Sequence, residues 1–252
     1  MIHEAYVRVV PNADTAVLFI HGICGTPNHF SDLIPLLELV PEDYSIYNVL
    51  LDGHGKSVED FSKTSMKKWH EQIWRTFEEL SDTHKHIVLV GHSMGTLFSI
   101  QLAAQHPDVV PFLLLFAVPL RPKMGLTVIR NSLKLVFGKL RDDVPQESAM
   151  NRACGITPTR KLWKYLGWIP CFLELFLEMF KTERVLQQLT VPCTAFQSQR
   201  DELVAFCSRK ILERNDTVSV RILPDSSHFY YHPGDQAMIR NEFERKIKET
   251  HG

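Results

Sequence analysis

One serine lies in a turn whose composition suits nucleophilic catalysis. Residues 91–95 read Gly-His-Ser-Met-Gly, and they join an apolar run at 86–90 to a helical pattern. A G-x-S-x-G turn between a strand and a helix is sharp enough to need glycines, and it holds its serine in a strained conformation with the hydroxyl exposed. We therefore predict that Ser93 is a nucleophile. The alternative for a serine here is an ordinary helix N-cap.

A nucleophilic serine needs a base and a group that orients the base. His228 follows the last predicted strand of the chain, and Asp201 follows the strand before it. Both lie where the carboxyl ends of parallel strands meet, so we predict His228 as the base and Asp201 as its partner. His232 and Glu202 are the neighbouring alternatives, and we expect Glu202 to point elsewhere. The alternative for Asp201 and His228 is a solvated acid and a plain loop histidine.

A glycine-rich loop offers the electrostatic part of the same chemistry. Residues 21–25 read His-Gly-Ile-Cys-Gly and follow an apolar run. Acyl transfer builds negative charge on the carbonyl oxygen, and losing one preset N–H donor typically costs about 10²–10³ in rate. We predict that the amides of Ile23 and Met94 form this oxyanion hole. A tight loop with a hydrogen-bonding histidine is the alternative.

The elements that must position these residues alternate along the chain. Short apolar runs predict strands at 6–10, 16–20, 46–50, 87–90, 112–116, 194–197 and 218–223. Apolar residues spaced three and four apart predict helices at 30–39, 66–80 and 94–105, with further helices at 204–213 and 235–248. Buried strands alternating with amphipathic helices predict an α/β fold with a mostly parallel central sheet flanked by helices.

The alternation stops after Pro119, and residues 121–185 form amphipathic helical patterns with breaks near Gly138, Pro145, Pro158 and Pro170. We predict a core of residues 1–120 and 186–252 with an inserted helical cap at 121–185. Part of the insertion has more apolar side chains than one packed face needs. They line an acyl pocket or seat the insertion on the core; they are Trp163, Tyr165, Leu166, Trp168, Phe172, Leu173, Phe176, Leu177 and Phe180.

Composition excludes several other classes of protein. The 252 residues are 44% hydrophobic and 23% charged with a formal net charge of -1, so nothing indicates a nucleic-acid partner. Five scattered cysteines without a C-x-x-C pair argue against a disulfide framework, a zinc site or any other metal site of that kind. The apolar stretch 162–180 is interrupted by charges, which argues against stable membrane insertion. The N-terminus lacks a signal-peptide pattern, and we expect a cytoplasmic protein.

Together these motifs resemble the α/β-hydrolase superfamily, in its serine esterase, carboxylesterase and monoacylglycerol-lipase group. The resemblance rests on residues 21–25, on Leu-Asp-Gly-His-Gly-Lys-Ser at 51–57, which is similar to that group's G-H-G-x-S loop, on 91–95, and on the contexts of Asp201 and His228. The chain order Ser, Asp, His also matches. The resemblance implies no cofactor, an acyl-enzyme intermediate, a cap over the active site, and a loop-shaping role for His54.

The expected activity is hydrolysis of carboxylic esters by a serine hydrolase, with short or medium acyl esters or monoglycerides as the small-molecule partner. A thioesterase, a peptidase or a carbon–carbon bond hydrolase would use the same three residues. Haloalkane dehalogenases and epoxide hydrolases resemble this chain less, because they have Asp at the position of Ser93. A different class is a ligand-binding protein of the same fold without turnover. The sequence does not determine the oligomeric state.

Overall fold

A computed structural model describes residues 3–123 and 125–250 of the chain, and a seven-stranded sheet lies at its centre. The strands of the described residues are β1 (Tyr6–Arg8), β2 (Thr15–Ile20), β3 (Ser45–Asn48), β4 (Lys56–Ser57), β5 (His86–His92), β6 (Leu113–Phe116), β7 (Ile156–Thr157), β8 (Cys193–Ser198) and β9 (Val218–Leu223). The short strands β4 and β7 pair with each other, and the rest form the central sheet.

The central sheet has the order β1-β3-β2-β5-β6-β8-β9 and is parallel except where β1 pairs with β3. Its register aligns Val17 with Val88 and Phe116 with Phe196. Strands β2, β6 and β8 are buried along their whole length. Burial on both sides explains the nearly continuous apolar runs of β2 and β6, whereas β8 also buries Thr194, Gln197 and Ser198. The predicted α/β fold with a mostly parallel sheet is confirmed.

Helices cover both faces of this sheet. They are α1 (Val58–Phe61), α2 (Met66–Ser81), α3 (Met94–Gln105), α4 (Leu126–Val136), α5 (Pro145–Ala153), α6 (Ile169–Leu186), α7 (Arg209–Leu212) and α8 (Pro233–Thr250). Helix α2 shows how the sequence directs this packing. The hydroxyl of Ser65 caps it by accepting from the Lys68 amide at 3.2 Å. Its side chains at three- and four-residue spacing, such as Trp69, Ile73 and Phe77, are buried against the sheet.

The predicted helix at 30–39 is wrong. The chain forms a π-helical turn at His29–Leu33 and a 3-10 turn at Leu37–Leu39 instead. Pro35 explains the break, because a residue before proline is driven out of the helical region. Ile34 accordingly has an extended backbone with φ −127° and ψ 93°.

The helix predicted at 204–213 is shorter than expected, with a 3-10 turn at Phe206–Ser208 followed by α7. Val204 forms a β-bridge with Pro122, and its amide donates to the Asp201 carboxylate at 2.7 Å. These two contacts hold residue 204 outside the helix.

The segment 121–185 is largely helical, as expected. Gly138 takes a left-handed φ of 64° just beyond the end of α4, and Pro145 begins α5. Pro170 lies in the first turn of α6, where proline is tolerated, so it does not break a helix there. Helix α6 packs on α3 through Cys171 and other buried side chains. The boundaries of a separate cap at 121 and 185 stay a prediction.

The apolar side chains of the insertion divide into two sets. Tyr165, Trp168, Phe172 and Phe176 are partly buried and pack on the core cluster. The other five are exposed to between 58% and 69%; they are Trp163, Leu166, Leu173, Leu177 and Phe180. The first set therefore seats the segment on the core, and the second set does not. No helix of the described residues combines the length and apolarity that a membrane crossing requires.

Candidate active site

Ser93 occupies the turn between β5 and α3 in a strained conformation. Its φ of 50° and ψ of −121° lie outside the regions that residues with a Cβ normally adopt. The Ser93 amide donates to the Phe116 carbonyl at 2.8 Å, which ties the turn to the neighbouring strand. The residue is 8% exposed. The strain and the position at the carboxyl end of a central strand are those of a nucleophile turn.

The glycines on either side of Ser93 are required by close contacts. A Cβ on Gly95 would lie 2.0 Å from the Ile20 carbonyl oxygen, and a Cβ on Gly91 would lie 2.8 Å from the Ser99 hydroxyl. Both distances are far below ordinary contact. The predicted reason for the G-x-S-x-G pattern, a turn too crowded for side chains, therefore agrees with the geometry.

Asp201 and His228 lie together, buried, in the loops that follow β8 and β9. His228 Nδ1 donates to Asp201 Oδ2 at 2.9 Å and lies 3.1 Å from Oδ1. Asp201 Oδ1 also accepts the amides of Leu203 at 2.8 Å and Val204 at 2.7 Å. These amides fix the carboxylate, and the carboxylate fixes the imidazole tautomer. The lone pair of His228 is then on Nε2, where a base needs it.

The Ser93 turn contacts the His228 loop through His92, the residue before Ser93. His92 Nε2 donates to the His228 carbonyl oxygen at 3.2 Å, and the two imidazole rings have centroids 4.9 Å apart. Within the described part of the chain, the Ser93 hydroxyl forms no hydrogen bond with His228. Catalytic hydrogen bonds are often long without substrate and tighten when it binds.

The charges around His228 favour its protonated form. Burial alone would lower the pKa of His228, but the charge and hydrogen bond of Asp201 and the charge of Glu202 outweigh it and raise the pKa. The expectation that Glu202 points away from the site is wrong. Its carboxylate accepts the backbone amide of His228 at 3.0 Å, so it holds the loop rather than the ring.

The predicted oxyanion loop lies beside Ser93. A Cβ on Gly22 would lie 2.8 Å from the Ser93 Cβ, which puts the two backbones in direct contact. Among the described residues the amides of Ile23 and Met94 donate to no protein group, so both are available to an oxyanion. Cys24 takes a positive φ of 55°, and its carbonyl accepts the amide of Gly155 at 2.8 Å. Gly155, in the segment 121–185, thus contacts the predicted oxyanion loop through its backbone.

His21 and His54 are buried and structural. The Leu51 amide donates to His21 Nε2 at 3.1 Å, while His21 Nδ1 donates to the Gly22 carbonyl at 2.8 Å, which requires the neutral ring. Burial lowers the pKa of His21 to about 4. His54 Nδ1 donates to the carbonyls of Leu51 and Asp52 at 3.2 and 3.3 Å, and burial holds its pKa well below the ordinary value. Both rings shape loops.

His29 is a member of the site that sequence reasoning missed. Its ring stacks on His92 with centroids 3.6 Å apart, and burial holds the pKa of both histidines well below the ordinary value. The motif Gly-His-Ser-Met-Gly marks His92, but nothing in the sequence pairs it with a residue 63 positions earlier. Two stacked neutral imidazole rings, those of His29 and His92, therefore lie next to His228, with the His92 ring in contact with it.

Metal ligands are absent from the part of the chain that the structure describes: no group of three or more His, Cys, Asp or Glu side chains could hold an ion.

Comparisons with known proteins agree with the fold. A family model for the alpha/beta hydrolase fold matches residues 15–166. A thermostable monoacylglycerol lipase from Bacillus sp. (strain H-257) is 26% identical over 200 residues, which covers 77% of this chain and 73% of that protein.

Solved structures give the same fold at low identity. One of the metagenome-derived lipolytic enzymes LipS and LipT matches with a TM-score of 0.75 at 18% identity over 98% of both chains. The thioesterase domain from the curacin biosynthetic pathway matches with a TM-score of 0.65 at 19% identity over 95% of this chain and 94% of that one. Likenesses this remote show the fold alone. Because the family model spans more than half of the sequence, the chain belongs to the α/β-hydrolase fold family.

Proposed function

We propose that the chain is a serine hydrolase that cleaves carboxylic esters, with Ser93 as nucleophile, His228 as base and Asp201 as the group that orients His228. The observation that carries this proposal is the buried Asp201–His228 hydrogen bond at 2.9 Å. It leaves the basic nitrogen of His228 free, in a loop that His92 joins to the strained Ser93 turn. His228 Nδ1 is bound to a buried carboxylate, whereas the Nδ1 atoms of the loop-shaping His21 and His54 donate to backbone carbonyls.

The proposed reaction proceeds through an acyl-enzyme. His228 Nε2 takes the Ser93 proton as the serine oxygen attacks the ester carbonyl carbon, and the carbonyl π electrons move onto the oxygen. The amides of Ile23 and Met94 stabilise that oxyanion. The imidazolium then gives its proton to the leaving alcohol, and Asp201 stabilises the charge while it lasts. Water, deprotonated by the same nitrogen, attacks the acyl-enzyme and releases the acid.

The proposed substrates are short or medium acyl esters or monoglycerides. The support is the monoacylglycerol lipase from Bacillus, which matches across most of both chains. The thioesterase domain shares the fold at 19% identity, and no contact in the present site favours a thioester. We also propose that residues 121–185 act as a cap. Thr127 and Asn131 of α4 line a cavity of about 230 Å³ together with Glu202 and Ser227, which places α4 beside the loops of Asp201 and His228.

Turnover of p-nitrophenyl esters of increasing acyl length tests the proposal, alongside a monoacylglycerol, a matched thioester and an anilide. We expect kcat/KM to be highest for an ester, and Ser93→Ala to lower it by about 10⁴-fold or more while the fold is retained. The control is Ser99→Ala, a buried serine of the same helix whose hydroxyl donates to the Gly95 carbonyl; its activity should remain within several-fold of the parent. Undiminished turnover by purified Ser93→Ala would refute the nucleophile. A preference for the thioester or anilide would refute the substrate class.

A further inference from the structure

Helix α4 presents an apolar stripe to solvent. None of its side chains is buried. Leu126 is 86% exposed, and Ile129, Leu133 and Phe137 follow on the same face at three- and four-residue spacing with 59%, 44% and 37% exposure. The opposite face, with Thr127 and Asn131, looks into the cavity beside the His228 loop. Leu126, Ile129 and Leu133 therefore face solvent, and nothing among the described residues covers them.

A second apolar stripe lies later in the same insertion. It begins in the 3-10 helix Leu162–Trp168 and continues along α6, and it comprises Trp163, Leu166, Ile169, Leu173, Leu177 and Phe180. The other face of α6 is the one packed against α3, so the stripe is not needed to seat the helix. Exposed apolar sets of this size mark a surface that contacts a protein or a lipid.

The charge of the segment 121–185 favours a lipid surface over a protein surface as the partner of these stripes. Residues 121–185 contain twelve Lys and Arg against six Asp and Glu, whereas the rest of the chain contains sixteen against twenty-three. Most of the acids are already paired within the protein, as Glu147 is with Lys134 and Glu183 with Arg121. Several exposed cations form no ion pair among the described residues; they are Arg130, Lys139, Arg160 and Lys161. The segment that carries both apolar stripes thus has a formal net charge of +6.

We propose that the two stripes dock the protein reversibly on an anionic lipid surface. Apolar helix faces bordered by Lys and Arg bind in the plane of a bilayer interface, with the cations at the level of the lipid phosphates. Exposed Trp163, two residues after the exposed Lys161, has the pairing of aromatic and basic residues that is typical of that depth. A second copy of the chain fits less well, because two such faces would repel each other.

This docking goes beyond the proposed ester hydrolysis and does not depend on it. Where the proposed function also holds, α4 would lie between the lipid surface and the catalytic loops, so that an acyl ester leaving the bilayer meets the site directly. The binding test is therefore made with full-length Ser93→Ala, which removes any turnover of the lipid.

Flotation with vesicles of phosphatidylcholine, with and without 30% phosphatidylglycerol, tests the proposal. We expect binding to the anionic vesicles, a blue shift of the tryptophan emission on binding, and loss of binding in 0.5 M NaCl. Leu126→Ser/Ile129→Ser should weaken partitioning by about 100-fold. The matched control is Val9→Ser/Ile222→Ser, which replaces two exposed apolar residues outside the segment 121–185. It should change partitioning by less than about twofold.

Charge is tested in the same assay. Arg160→Gln/Lys161→Gln should weaken binding to anionic vesicles by about 30-fold, and Lys67→Gln/Arg75→Gln, on the exposed face of α2, should not. No binding, equal binding to both vesicle types, or equal effects of the test and control pairs would overturn the proposal. A dimer in lipid-free solution that Leu126→Ser/Ile129→Ser dissociates would also overturn it, since the face would then belong to a second copy. Vesicle binding by a wild-type protein without esterase activity would refute the proposed function alone.

Discussion

Four buried histidines should make the folded state unstable in mild acid. His21, His29, His54 and His92 are each at most 2% exposed. Burial lowers the pKa of His21 to about 4 and holds the other three well below 6.5. The unfolded chain, in contrast, binds a proton at each of these histidines near pH 6.5. Because the unfolded state binds more protons, the free energy of unfolding must fall as the pH drops below that value.

The magnitude follows from the same linkage. A histidine that stays neutral in the folded state loses about 1.2 kcal/mol of stability between pH 7.0 and 5.5, so the four together lose about 5 kcal/mol. The raised pKa of His228 acts in the opposite direction, since its stabilisation is fully present below the unfolded pKa and is lost as the pH rises through the folded one. The net loss remains a large part of the 5–15 kcal/mol that holds a typical domain folded.

Urea unfolding at pH 7.0 and 5.5 measures this loss. His29→Phe should keep the stacked contact with His92 and remove one titrating group. Its free energy of unfolding should therefore fall by about 1.2 kcal/mol less than that of the parent between the two pH values. The matched control is His232→Gln, which replaces an exposed histidine. A parent protein equally stable at both pH values, or a His29→Phe variant with the same pH dependence as the parent, would refute the reasoning.

Four further predictions concern the loops of the proposed site. Asp201→Asn should lower kcat by about 10⁴ with the fold intact, because the imidazole loses its tautomer control; steady-state kinetics and a thermal melt check both points. Activity should rise with pH along an acid limb whose midpoint lies above 6.5, since the base must be neutral and the pKa of His228 is raised. Glu202→Gln should shift that limb in kcat/KM to lower pH, because one of the charges that raise the pKa is removed; an unmoved limb would contradict this role. Gly155→Ala should lower kcat, because the new Cβ would lie 2.0 Å from the Gly25 carbonyl oxygen and must displace the oxyanion loop; unchanged kcat would show that the loop does not depend on the insertion.

The sequence predicts the strands, and the loops in which the candidate site residues lie, because both depend on local patterns. A strand buried on two faces is mostly apolar, and a sharp strand-to-helix turn needs small neighbours, so β2, β5 and Gly95 follow directly from residue types. Asp201 and His228 could be placed because each follows a strand whose end lies at the same edge of the sheet.

Features that depend on distant contacts could not be predicted in this way. The stacking of His29 on His92 joins residues far apart in the chain. The backbone contact of Glu202 with His228 depends on how two loops meet. Periodicity shows that a helix such as α6 is apolar, but it does not show which of its faces another element covers. For that reason Leu177, at 69% exposure, was expected to be buried.

Reaction with a fluorophosphonate probe tests the assignment of Ser93 most directly. Intact mass and peptide mapping should show one probe per chain, attached to Ser93, with the labelling rate falling as His228 is protonated at low pH. Asp201→Asn should slow the labelling, and Ser93→Ala should abolish it. Labelling at another residue, or rapid labelling of the Ser93→Ala variant, would contradict the proposed nucleophile.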